Sequence, residues 1–108
     1  MTYTVLLTDD AVRDLEDIDD YISGHDSPER ADYVLSMIEE QLLNLADLPD
    51  RGTYPRELST LGIREYREVF FKPYRVIYRV IGNSIYVYIV ADGRRDMQAL
   101  LSRRMLGG

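Results

Sequence analysis

The chain has no cysteine among its 108 residues, which removes structural disulfides and thiolate zinc sites and fits a reducing compartment. It also lacks any apolar run long enough to cross a membrane. The N-terminal stretch MTYTVLLTDDAVRD offers only three successive apolar residues before acids begin, so no signal peptide is expected. Histidine is nearly absent. His25 stands alone in the loop Gly24-His25-Asp26-Ser27, where a single histidine is more often incidental than catalytic or metal-binding. There are no repeats and no low-complexity segment. What remains is a soluble, cytoplasmic chain expected to fold as one domain over residues 1–108, with a core that needs no staples.

Charge is plentiful and uneven. The formal net charge is −6. Residues 1–50 carry fourteen acids against two bases, Arg13 and Arg30, for a net of −12. Residues 51–108 carry eleven bases against five acids, for a net of +6. If the halves form separate layers, the field changes sign across the molecule. An acidic total argues against broad, nonspecific nucleic-acid binding.

Tyr3 to Leu7 reads as a short first strand. Thr8 is placed to cap a helix whose first turn holds Asp9 and Asp10, where the helix dipole favours acids. Ala11, Leu15, Ile18 and Ile22 recur at helical spacing, and Gly24 is expected to stop that helix. Its acids, Asp9, Asp10, Asp14, Asp17, Asp19 and Asp20, match no EF-hand spacing and fit a solvated face, so no metal and no cofactor is expected. Ser27-Pro28-Glu29 supplies an N-cap, a first-position proline and a first-turn acid for a second helix. Its apolar face is Ala31, Val34, Leu35, Ile38, Leu42 and Leu45, and it ends near Leu48-Pro49. The short loop between the two predicts an antiparallel pair. Asp50 to Gly62 reads as a surface connection, with Glu57-Leu58 as the point where it could begin to pair with a sheet.

From Arg64 to Val80 the chain interleaves arginine and tyrosine with strong strand formers, a predicted hairpin. Ile85 to Ala91 is a further strand, followed by the turn Gly93-Arg94-Arg95-Asp96 and a short helix from Asp96 to Met105. The predicted architecture is α+β, in the order β-α-α-β-β-β with a short C-terminal helix. The helix pair covers one face of a mostly antiparallel four-stranded sheet. Turns at Lys72-Pro73 and Gly82-Asn83 would set Phe71 opposite Tyr74, Val69 opposite Val76, Val80 opposite Ile85, and Val76 opposite Ile89. Alternation then puts Val69, Val76, Tyr78, Val80, Ile85, Val87 and Ile89 beneath the helices. The other face gathers Arg64, Tyr66, Glu68, Phe70, Arg75, Ile77, Arg79, Tyr86 and Tyr88. Arg67 is discordant, pointing inward unless a bulge displaces it or it lies against Tyr78.

The element order, the strand Tyr74-Arg75-Val76-Ile77-Tyr78-Arg79-Val80 and the turn Gly93-Arg94-Arg95-Asp96 resemble the RelE/ParE superfamily, toxins of bacterial type II toxin–antitoxin modules. The resemblance covers nearly the whole chain and implies a cognate antitoxin, ParD-like or similar, that is acidic, partly disordered and folds on binding. RelE-like members cut messenger RNA on the ribosome, with a central-strand arginine and a late tyrosine or histidine. Arg75 matches that arginine and Arg95 the arginine of the last turn. However, Tyr66-Arg67-Glu68 stands where lysines are expected, and Leu100 and Leu101 where the tyrosine would be. These departures are similar to the ParE branch, whose members inhibit DNA gyrase and trap its cleaved complex. On that reading gyrase is the target, no sequence-specific DNA binding belongs to the toxin alone, and the ribosome matters only to the ribonuclease alternative; the other alternative is a member that retains only antitoxin binding.

As a ribonuclease, the chain would need cationic stabilisation of a phosphorane with an acid and a base. Arg64, Arg75, Arg79 and Arg95 could supply the cation, Glu68 the base, and Tyr86 or Tyr88 the acid. The competing reading is a protein-binding face of Arg64, Tyr66, Arg75, Arg79, Tyr86, Tyr88, Arg94 and Arg95, since arginine and tyrosine are enriched at interface hot spots. This second reading is favoured. Arg94, Arg95, Arg103 and Arg104 form either a functional cluster or partners for the acidic helices. Leu100, Leu101, Met105 and Leu106 are expected to be packing residues.

Overall fold

The computed structural model describes residues 2–105. Leu106 lies outside the described residues. The elements are β1 (Thr4–Leu7), α1 (Asp9–His25), α2 (Pro28–Asp47), α3 (Arg56–Ser59), β2 (Tyr66–Phe71), β3 (Tyr74–Ile81), β4 (Ser84–Asp92) and α4 (Met97–Met105). The strands form one sheet in the order β1-β4-β3-β2, antiparallel except for β1, which runs parallel to β4.

Both long helices begin as their sequences dictate. Thr8 Oγ1 accepts from the Ala11 N–H and Ser27 Oγ from the Arg30 N–H, each satisfying a donor that the first turn leaves over. The end of α1 differs from expectation. The helix runs through Gly24, and the Asp26 N–H closes it on the Ile22 carbonyl. No left-handed residue is needed there, so Gly24 is not the stop.

Ala11, Ile22, Ala31, Val34, Ile38, Leu42 and Leu45 of the helix pair pack on Val69, Val76, Tyr78, Ile85, Val87 and Val90 of the sheet. The expected register holds at Phe71–Tyr74, Val69–Val76 and Val80–Ile85. It fails at Ile89. The ladder slips between Ile77 and Tyr78, so that Ile77 faces Ile89 while Tyr78 faces Val87, and Val76 faces Val90. The extra residue in β4 is Tyr88, a bulge that turns Ile89 to the opposite face. Arg67, by contrast, sits in regular register opposite Tyr78, where α2 has given way to the loop after it. It lies under that loop and not in the core.

The second departure concerns the other face. Leu58 of α3 and Met97, Leu100 and Leu101 of α4 pack there on Ile77, Ile89 and Ala91. The connection from Asp50 to Gly62 is therefore not a bare surface loop. Its α3 ends in a Schellman motif, with the Ile63 N–H on the Leu58 carbonyl, the Gly62 N–H on the Ser59 carbonyl, and Gly62 at φ +79°. Thr53, not Glu57-Leu58, pairs with the sheet, exchanging both backbone bonds with Glu68.

Among the described residues, no strand pairs with the outer edge of β4 beyond the end of β1. Two side chains take its place. Asp14 of α1, buried, accepts from the Val90 N–H at 3.0 Å, and Arg104 of α4 donates to the Tyr88 carbonyl at 3.0 Å. Arg104 and Asp14 also bind each other, tying α1 to α4 around the sheet edge. This satisfies groups that a bare edge would expose.

Candidate functional site

Register sets the rows of side chains on the face opposite α1 and α2. Tyr66 faces Arg79, Arg79 faces Tyr86, and Tyr86 faces Leu6, a row across all four strands. The next rows are Glu68, Ile77 and Ile89, then Phe70, Arg75 and Ala91. α3 and α4 pack over Ile77, Ile89 and Ala91 of those two rows, while Phe70 stays exposed and Tyr66 of the first row lies at the margin of the cluster with Ile63, Tyr88 and Met105. The face is divided into a covered half and an open half.

Arg75 falls in the covered half. Its Nη1 and Nη2 donate to the two Glu57 carboxylate oxygens at 2.8 Å each, and its Nε donates to Glu68 Oε1 at 2.7 Å. A guanidinium offers five N–H groups on a rigid fork, and both of its useful edges are spent within the chain. The Arg75 side chain is 12% exposed and that of Glu68 is 7% exposed. The Arg75 hydrogen bonds hold the Glu57 carboxyl down to about 2. Burial pushes Glu68 the other way, above the usual carboxylate range, and the neighbouring Glu57 charge adds to the rise. Two acids on one base leave one acid short of compensation. The stem of Arg75 is pressed on Gly93, where a Cβ would lie 2.8 Å from its Cδ. Arg75 is on the expected face, but it is not the open cation that a partner-contact or phosphorane-binding role requires.

The open half keeps most of the other expected residues together. The Arg79 guanidinium lies 5.8 Å from the Tyr66 ring centre, and Tyr66 meets Tyr88 edge-on at 5.5 Å. Burial raises the Tyr88 hydroxyl above its usual range, with Tyr66 adding to the effect. Beside this row, Arg64 and Arg67 both sit over Tyr54, at 5.6 and 4.7 Å. Arg67 is further fixed by donating to the Gly52 carbonyl at 2.9 Å and the Tyr54 hydroxyl at 3.2 Å. The expected Arg67–Tyr78 stack does not form. Tyr78 is fully buried, its hydroxyl donating to the Pro49 carbonyl at 2.7 Å and accepting from the Gly52 N–H at 3.0 Å.

Arg94 and Arg95 stand apart from that row. Arg94 turns back on Asp92, with its Nε 2.9 Å from Oδ1, and this contact lowers the Asp92 carboxyl. Both arginines border a groove of about 500 Å³ with Tyr21, Tyr74 and Asp17. Arg104 belongs to the Asp14 latch, and Arg103 is exposed. Leu100 and Leu101 are buried packing residues, with Met105 packed against their cluster. His25 is exposed, stacked on Tyr21 at 4.1 Å. Among the described residues, no three His, Asp or Glu side chains converge to hold an ion.

Of the ribonuclease set, Arg75 is bound by Glu68 together with Glu57, Tyr88 packs on Tyr66, and Arg95 lines the groove beside α1. Sequence reasoning missed Glu57 and Tyr54. Both lie in the connection read as a surface loop, and no periodicity marks a residue whose role is set by a distant strand.

The family model for the ParE toxin of the type II toxin–antitoxin system parDE matches residues 5–98. The chain belongs to the ParE toxin family. It is therefore a type II toxin, and its partner is a cognate antitoxin. No curated protein matches the sequence. Among solved structures, a chromosomal ParDE toxin–antitoxin system from P. aeruginosa is similar, with TM-score 0.70 and 22% identity over 84% of this chain and 96% of that one. The RelBE2 toxin–antitoxin complex of Mycobacterium tuberculosis aligns with TM-score 0.59 and 24% identity, over 85% of this chain and 99% of the other. A mutant of E. coli RelE in the free state gives TM-score 0.62 and 13% identity, over 93% of each chain. At these identities the likeness is one of fold. The ParE-family chain shares its α+β architecture with both branches of the superfamily.

Proposed function

We propose that this ParE-family toxin arrests growth by binding DNA gyrase in the cytoplasm and shifting its cycle toward the cleaved complex, without cutting RNA itself. The observation that carries this reading is the Glu57–Arg75–Glu68 cluster. A central-strand arginine bound by two carboxylates of its own chain offers no free positive charge to a phosphorane. What the sheet presents instead is the row of Tyr66, Arg79, Tyr86 and Tyr88 beside Arg64, a combination suited to burial under a protein. The antitoxin covers this row, and Arg94 and Arg95 extend the contact at the groove. Catalysis then belongs to gyrase.

The test is supercoiling and cleavage by purified gyrase, with and without the toxin. Loss of supercoiling with a cleaved complex that grows with toxin, and reversal by the antitoxin, is the expected result. No inhibition and no cleaved complex at excess toxin rejects the reading, and codon-positioned cuts in ribosome-bound message would replace it.

A further inference from the structure

Three arginines border one recess that holds only two acids. Arg64, Arg67 and Arg79 line a hollow of about 300 Å³ with Asp50, Glu65 and Val80, where β2 begins and β3 ends. Among the described residues, Arg64 and Arg79 form no ion pair, and Arg67 meets only Asp50, at 3.8 Å. Each guanidinium is laid over a tyrosine, Arg64 and Arg67 over Tyr54 and Arg79 over Tyr66. Arg67 is spent on the Asp50 and Gly52 carbonyls and the Tyr54 hydroxyl, whereas among the described residues the Arg64 and Arg79 guanidinium groups make no hydrogen bond and are available for bidentate capture of a planar anion.

We propose that this recess is a carboxylate-recognition site, and that its ligand is an acidic side chain set between apolar ones in an extended segment of a protein partner. The proposal rests on the reading that the open face is covered by a protein, and it adds the site and its chemistry. Local charge selects the ligand. Three cations against Asp50 and Glu65 leave an excess of one, which suits a single carboxylate. Nucleic acid brings a charge roughly every 1.7 Å of duplex, and a chain of net charge −6 repels such a polyanion at long range. The surroundings select the flanking residues. From the recess the row runs through Tyr66 and Tyr86 to Leu6, which is 41% exposed, so neighbours of the acid meet aromatic and aliphatic surface.

The probe is a blocked eight-residue peptide alternating leucine and glutamate, titrated against the full-length toxin by calorimetry. The controls are its leucine–glutamine counterpart, an eight-nucleotide thymidine oligomer and inorganic phosphate. The glutamate peptide is expected to bind at least about tenfold more tightly than the glutamine one, since the hydrogen bonds to the acid are charge-assisted. Arg64→Ala, at an exposed position, and Arg79→Ala, at a half-buried one, should each weaken it by about tenfold or more. Tyr54→Phe, which keeps the ring, should bind like the parent, and Tyr54→Leu should bind more weakly. Arg13→Ala, on α1, should change nothing. Equal affinity for the glutamate and glutamine peptides, or tighter binding of the oligomer or of phosphate alone, overturns the assignment. Gyrase is absent from every arm, so failure here is separate from failure of the gyrase reading.

Discussion

Removing the guanidinium of Arg75 should unfold the protein more readily without abolishing a chemical activity. In the native chain the Glu57 carboxyl is lowered from 4.5 to about 2. A displacement of that size is worth about 3 kcal/mol, and the open side of Glu57 screens it to about 1–2 kcal/mol. Glu68 is nearly enclosed. Stranding one partner of a buried pair costs about 3–5 kcal/mol, and Glu68 can limit its share by taking up a proton. For Arg75→Ala we expect a loss of about 3 kcal/mol at pH 7 in urea denaturation.

The pH dependence gives the sharper check. Glu57 has a folded pKa below its unfolded value. Its stabilisation is present above 4.5 and is lost as pH falls toward about 2. Glu68 has a raised folded pKa, so its contribution has the opposite sign, increasing as pH falls through that value. Wild type should decline in acid below 4.5 as the Glu57 pairing goes, and the gap to Arg75→Ala should narrow over that range. Arg75→Leu combined with Glu68→Leu, which replaces the stranded acid with apolar volume and frees Glu57 to turn to water, should return within about 1 kcal/mol of wild type. A loss below about 1 kcal/mol for Arg75→Ala, or a gap that does not narrow in acid, refutes the internal role. Gyrase inhibition per folded molecule should survive the substitution.

Other expectations follow from single contacts. Gly52→Ala places a Cβ 2.6 Å from the Tyr78 hydroxyl and 2.7 Å from the Glu68 carbonyl oxygen, and should cost about 2 kcal/mol or more in thermal or urea unfolding. Tyr78→Phe removes the bonds to Pro49 and Gly52 and should cost about 1–3 kcal/mol by the same measure. Asp14→Ala leaves the Val90 N–H without its partner and Arg104 with only the Tyr88 carbonyl and the more distant Asp10, so amide exchange at Val90 and in α4 should accelerate while that of α2 follows only the global stability.

The helices, the strands and most of the register are legible in the chain because they depend on neighbours a few residues apart. Caps at Thr8 and Ser27, apolar stripes at helical spacing, and turn residues at Lys72-Pro73 and Gly82-Asn83 are local signals, and they specify the α+β order. The strand Tyr74-Arg75-Val76-Ile77-Tyr78-Arg79-Val80 and its accompanying turn likewise pointed to the toxin superfamily that the family match bears out. Three things were decided only in three dimensions. The bulge at Tyr88 moves Ile89 across the sheet, since one extra residue inverts the alternation beyond it. The short α3 brings Glu57 eighteen residues along the chain to Arg75, converting an apparent surface cation into an internal one. α4, amphipathic by itself, covers one half of the Arg/Tyr face and leaves the other open. Side-chain type and period set what each residue can do, but whether an arginine is available to a partner depends on which acids the fold brings to it.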